Sequence, residues 1–133
     1  MKTRGKIEQL WRQEKYHVMM HSQQHYNHIR AMLKSTPTYA EVESAINEAL
    51  SQSPTMGSMI NCYDHMWGYF KSKATDAEKQ HAQYLKHAFQ QQQVSFDVLL
   101  TFIKSLADRY HVHYLQQSHI LQQSHILQQR PHQ

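Results

Sequence analysis

The chain has 133 residues with 14 basic and 10 acidic side chains, and only one cysteine. This length fits a single domain, and no apolar run approaches the roughly 20 residues that a membrane-spanning helix needs. One cysteine cannot form an intramolecular disulfide, and the charged start from Met1 to Lys6 leads into no apolar signal segment, so we expect a cytoplasmic protein without a membrane partner.

The first half of the sequence predicts three helices, because apolar side chains recur at the helical period between capping signals. The first helix is expected from about Lys6 to Met20. The second begins near Ser22, a suitable N-cap, and ends before Pro37, which cannot continue a helix. Residues 38–41 form a capping box that opens the third.

The second half predicts three more helices. The fourth carries an apolar stripe from Met56 to Phe70, the fifth opens with a capping box at 75–78 and frays at 90–93, and Ser95 caps the sixth. Along the fifth helix the expected inward positions are Ala77, His81, Tyr84, Leu85 and Ala88. Short links between amphipathic helices predict an all-α fold, a compact antiparallel bundle of about six helices.

The end of the chain carries a duplicated hexapeptide. Residues 115–120 read LQQSHI, and residues 121–126 repeat them. Solenoid repeats are longer, and a period of six matches no helical supercoil. We therefore expect the domain core to span 1–112, with 113–133 as a peripheral C-terminal tail.

Basic residues are concentrated near the start of the chain. Residues 1–34 hold seven lysines and arginines against two glutamates. A lopsided basic surface suits a polyanion such as RNA, although an ordinary solvated surface is the alternative. The residues predicted to bind nucleic acid, as phosphate contacts or as a stacking ring, are Arg12, Lys15, Arg30, Tyr69, Lys71 and Lys73.

Twelve histidines raise the question of a metal site. His17, His21 and His25 are spaced four apart, which places ligands on one helical face. A turn near His21 would separate them, however, and Glu14 is expected on the wrong side. No metal or other cofactor is predicted.

A polar surface is predicted on the fourth helix, where Asn61, His65 and Gly68 share one side. Glycine inside a helix costs about 1 kcal/mol relative to alanine, so Gly68 indicates close approach of a neighbour or a ligand. The surface is either packed against the first helix or a polar recess that meets a phosphate or a base. Cys62 is not expected to be catalytic, because a helix interior offers no free amides for an oxyanion hole.

Several elements resemble the YbgA-like family. They are Trp11 with Lys15-Tyr16, His21-Ser22 and Tyr26; Asn61, His65 and Gly68 to Lys71 with Glu78-Lys79; and Tyr114-Leu115 with Gln117. The resemblance covers about residues 7–121. The family usually continues into a proline-rich ending, where this chain has the duplicated segment.

The resemblance implies a helical domain that also occurs fused to a thiouridine desulfidase domain, where it would bind tRNA. That chemistry needs an iron–sulfur cluster held by several cysteines, which a chain with one cysteine cannot assemble. We therefore expect an RNA-binding module, most plausibly for tRNA, which has no catalytic residues of its own. A separate desulfidase-type protein is the further partner that the resemblance implies.

Two alternatives stay open. One is an enzyme acting on a small molecule or nucleotide in the recess, with Asp64 or His65 as general acid–base. The other is a protein–protein adaptor with an exposed patch of Met19, Met20 and Met56.

Overall fold

The computed structural model describes residues 2–122, and within this range every regular element is helical. The helices are α1 (Thr3–His21), α2 (Gln23–Met32), α3 (Tyr39–Leu50), α4 (Met56–Trp67), α5 (Asp76–Gln90), α6 (Phe96–Arg109) and the short α7 (His113–Gln116), with a 3₁₀ turn at Leu33–Ser35. Six of the helices in the described range have ten or more residues. The predicted all-α class with six main helices is confirmed.

The described residues divide into two packed units, one on each side of a boundary between Asn61 and Cys62, and this boundary falls within α4. In the first unit α1, α2 and α3 each contact the other two. The apolar side chains buried in this unit are Ile7, Tyr16, Val18, Met19, Tyr26, Ile29, Val42, Ile46 and Ala49. Because the three helices pack against one another, the positions of α1 and α2 relative to each other are fixed.

In the second unit α6 contacts both α5 and α7. The predicted stripe of α5 is partly wrong, because Ala77, His81 and Tyr84 are exposed. The buried side chains on this helix are Ala82, Leu85, Ala88 and Phe89. Small Ala82 lets Tyr63 approach, and the Tyr63 hydroxyl donates to the Ala82 carbonyl at 2.8 Å.

Helix starts follow the capping signals closely. The Ser22 hydroxyl accepts from the His25 amide, and both capping boxes, at 38–41 and 75–78, have the expected reciprocal bonds. Ser95 occupies the N-cap position of α6, as predicted, but its side chain makes no capping hydrogen bond.

Side-chain burial continues beyond residue 112. Leu115, Ile120 and Leu121 are at most 2% exposed, and Ser118 is fully buried. The start of the expected peripheral tail therefore belongs to the packed second unit. Residues 123–126 of the second hexapeptide copy, and the rest of the chain to residue 133, lie outside the described residues, so the expectation of a peripheral tail there stays a prediction.

None of the helices between residues 2 and 122 combines the length and the apolar character that crossing a membrane requires.

Candidate nucleic-acid interface

Two basic side chains, on α1 and α2, are near enough for their charges to interact. Burial lowers the pKa of Lys15, and the positive charge of Arg30 lowers that pKa further. Arg30 is exposed, while Lys15 is half-buried. Neighbouring like charges repel each other, and an anion bound beside them would weaken that repulsion.

Each of the two cations lies near an aromatic ring. Lys15 Nζ is 5.5 Å from the ring centroid of Tyr16, and Arg30 Cζ is 5.9 Å from that of Tyr26. Both rings are buried, so they are fixed supports for the long basic side chains. The ring of Tyr26 also contacts Trp11, with centroids 5.6 Å apart and planes inclined at 37°.

Arg12 is exposed on α1, three residues before Lys15. Residues three apart on a helix are surface neighbours. Arg12 thus adjoins Lys15 on α1, and Lys15 interacts with Arg30 on α2; we call these three residues the α1–α2 basic cluster. Chemically the cluster can neutralise phosphate charge, and the half-buried ring of Trp11 adds a surface on which a base can stack.

The remaining predicted RNA-binding residues lie in the second unit. Tyr69, Lys71 and Lys73 are in the turn at 68–73 that follows α4, and both lysines are exposed. Tyr69 is half-buried and stacks on Tyr114, with ring centroids 6.3 Å apart and an interplanar angle of 21°. This turn is a separate group of candidates, and we call it the 68–73 turn.

One comparison with known proteins places the chain in a family. A family model described as "Protein of unknown function (DUF1722)" matches residues 15–124. The chain belongs to the DUF1722 family. No curated protein and no solved structure matches the chain.

The DUF1722 match begins at Lys15, so it includes Lys15, Tyr26 and Arg30 as well as the 68–73 turn. Arg12 and Trp11 precede it. The matched span runs through both packed units, from α1 to the end of the described residues.

In this DUF1722 chain the residues of the predicted polar recess have individual partners. The Asn61 side-chain amide donates to Gln23, and Asp64 forms an ion pair with Lys86 at 3.0 Å. His65 is exposed. An aspartate already paired with a lysine is a weak candidate for a general base.

The expectation that Gly68 lies inside a helix is wrong. The helix α4 ends at Trp67, and Gly68 begins the turn that follows. A Cβ at Gly68 would lie 3.2 Å from the His65 carbonyl oxygen of the same chain segment. The glycine therefore accommodates its own preceding turn of helix, rather than a neighbouring helix or a ligand.

The rings of His17 and His21 are in contact, with centroids 5.2 Å apart, so the expectation that a turn separates the spaced histidines is wrong for these two. His17 Nδ1 lies 3.6 Å from Glu14 Oε1, His21 Nδ1 is 2.7 Å from the Gln52 carbonyl, and His25 bonds to Ser22. The expectation that Glu14 lies on the wrong side is thus wrong, because residues three apart share a helical face. Among residues 2–122 no group of three or more potential ligands has a metal-binding arrangement.

Two other side chains are less accessible than an active or docking role requires. Cys62 is fully buried, and this burial raises the pKa of its thiol, which disfavours the nucleophilic thiolate. Met19 is 1% exposed, so the exposed methionine patch expected for an adaptor is wrong at this residue.

Sequence reasoning selected the cations of the α1–α2 basic cluster but did not include its rings. In the sequence Tyr16, Tyr26 and Trp11 stand out only as apolar or family-like positions. The available signal was their spacing: Trp11 is four residues before Lys15, and Tyr26 is four before Arg30. Such pairs meet on one helical face.

Proposed function

We propose that this chain is an RNA-binding module whose first contact with RNA is the α1–α2 basic cluster. The observation that carries the proposal is the pairing of Lys15 with Arg30 beside the rings of Tyr16 and Tyr26. Phosphate would relieve the repulsion between the cations, and the half-buried ring of Trp11, which contacts Tyr26, would favour an unpaired base over a bare anion.

The resemblance to the YbgA-like family narrows the proposal to tRNA. Its desulfidase fusions act on a thiolated tRNA base, so a chain without the cluster-binding cysteines would supply only the binding half. In that arrangement a separate desulfidase-type protein in the cytoplasm would be its partner. Asp64 is ion-paired with Lys86, which makes the alternative of an independent enzyme at α4 less favourable.

A filter-binding titration of the full chain with tRNA at two salt concentrations tests the proposal. Binding should weaken steeply as salt rises, because each phosphate contact releases counterions. Replacing Lys15 and Arg30 by Gln should weaken binding. The slope of log affinity against log salt concentration should also become less negative, by about 0.7–0.9 for each phosphate contact that is lost.

The matched control is Lys104→Gln. It removes the same type of charge, but Lys104 is already paired with Asp108 at 3.0 Å. Its affinity and salt dependence should stay close to those of the unmodified chain. Absence of tRNA binding at low salt, or binding that salt does not weaken, would refute the proposal.

A further inference from the structure

A cavity of about 290 Å³ lies in the first unit, and Trp11 is among its lining residues. Its apolar walls come from the N-terminal half of α1, through Ile7 and Trp11, and from Leu33 and Pro37 after α2. This volume is at the lower end of the range of about 300–1,000 Å³ for small-molecule pockets. It suits one flat ring system rather than a large cofactor.

The cavity also contains hydrogen-bonding groups. Arg4 and Glu8 both line it, and Arg4 Nε lies 3.3 Å from Glu8 Oε1. Both side chains are more than two-thirds exposed, so this pair is weak and can rearrange. Guanidinium donors and a carboxylate acceptor are the groups that recognise the polar edge of a nucleobase.

The wall opposite α1 has a strained backbone. Thr36 lines the cavity with a φ of 49°, in the left-handed region that β-branched residues rarely adopt. Pro37 follows it, and Pro37 further restricts the Thr36 backbone. Strain of this kind is kept where the surrounding packing fixes a particular wall shape.

Trp11 connects the cavity to the basic cluster. The ring of Trp11 lines the cavity and also contacts the ring of Tyr26. The guanidinium group of Arg30 lies over the Tyr26 ring. Lys15 is one helical turn beyond Trp11 on α1, and its charge interacts with that of Arg30. An apolar slot with an aromatic wall is therefore next to a phosphate-binding pair.

We infer that this cavity takes a single unpaired nucleobase, stacked on Trp11, from an RNA strand whose phosphates contact Lys15 and Arg30. The inference rests on the proposed RNA-binding function and specifies its ligand as single-stranded RNA. The adjacent positive charge selects a nucleotide over an uncharged aromatic molecule, and Arg4 and Glu8 bind the edge of the base.

The test compares two oligonucleotides with the full chain: a mixed-sequence single-stranded RNA and an abasic strand of the same length and charge. The RNA with bases should bind about 5- to 100-fold more tightly, as stacking of one base on an aromatic side chain implies. Trp11→Leu should remove this preference without changing the salt dependence, since a base contact releases no counterions. Trp11→Phe should retain most of it.

A second variant approaches the cavity from the other wall. Leu33→Trp should fill the slot while leaving Trp11 and Tyr26 in place, and it too should abolish the preference for bases. Salt-dependent binding of both strands with equal affinity would overturn the base pocket but leave the proposed function standing. Equal weakening of both strands by Trp11→Leu would also overturn the pocket. Salt-dependent binding of tRNA without binding of either strand would overturn the single-stranded ligand, whereas absence of salt-dependent binding to tRNA as well would refute the proposed function itself.

Discussion

At Lys15, the ammonium group is partly removed from water and faces the charge of Arg30, and both effects lower its pKa, burial more than charge. If a phosphate binds here as proposed, its negative charge should raise the pKa of Lys15 toward the ordinary value, because it favours the charged ammonium form.

Arg30→Gln should raise the pKa of Lys15 toward its ordinary value. The recovery should be partial, because burial, the larger cause, stays in place. Titration of the Lys15 ammonium signal by NMR measures it, and Lys104→Gln in the second unit serves as the control with no effect. An unchanged Lys15 pKa in Arg30→Gln would mean that the two charges do not interact.

Glu78 is an acidic residue with several partners in the second unit. Its carboxylate accepts from the Tyr110 hydroxyl, from the Thr75 amide at 2.9 Å and from Arg109 at 3.1 Å. The Tyr110 bond is the largest cause of its lowered pKa, and Arg109 contributes less. The same bond raises the pKa of Tyr110.

Glu78→Gln should lower the free energy of unfolding at neutral pH, and the difference should shrink in acid. The pKa of Glu78 is lowered in the folded state, so the ionised carboxylate stabilises the fold at a pH above the unfolded-state pKa. This stabilisation is lost as the pH falls through the folded-state pKa, which lies below the ordinary value for glutamate. Glutamine can keep the capping bond to Thr75 but replaces the oxygen that accepts from Arg109 by an amide group, so the difference reports the charge together with that bond. Urea denaturation across acid pH measures it.

The exposed Glu43 on α3 provides the comparison, since Glu43→Gln should have little effect at any pH. A Glu78→Gln penalty that is the same at neutral and at acid pH would show that the carboxylate charge does not contribute.

At the scale of elements, the sequence predicted where helices start more reliably than which helical face is buried. The capping boxes at 38–41 and 75–78 are local, because every bond lies within four residues. Which face of α5 is buried depends on neighbouring helices, and the buried side chains there are Ala82, Leu85, Ala88 and Phe89. Ser95 shows the limit of local reasoning, since a cap residue at the right position makes no bond.

The segment after α6 was expected to be peripheral because it carries the hexapeptide repeat, but its side chains are buried in the second unit. Leu115→Ala should lower the free energy of unfolding by about 2–5 kcal/mol, because the leucine is fully buried. The matched control is Gln117→Ala two residues later, at an exposed position, which should change stability little. Chemical denaturation compares the two, and equal effects would contradict packing of this segment.

At the scale of the molecule, the sequence identified candidate cations but treated them as one surface. The structure divides them: Arg12, Lys15 and Arg30 belong to the first unit, and the lysines of the 68–73 turn belong to the second. A one-dimensional count of charges cannot make this division. Nor can it find the Trp11 cavity, because residues 3–11 and 33–37 meet only after folding.

Replacing Lys71 and Lys73 by Gln therefore tests the second group independently. If the 68–73 turn contacts RNA, the slope of log affinity for tRNA against log salt concentration should become less negative by about 0.7–0.9 for each lysine. Because both lysines are exposed, the thermal midpoint should be unchanged. Filter binding gives the slope, and an unaltered slope would restrict the interface to the α1–α2 basic cluster.

The division within α4 bears on how the chain can be dissected. A fragment ending at Asn61 would retain only six residues of this helix, and one starting at Cys62 would inherit the other six. Helices that short do not persist in water without a partner. A fragment designed for crystallography of the cavity lined by Trp11 should therefore extend to Trp67, so that it contains all of α4.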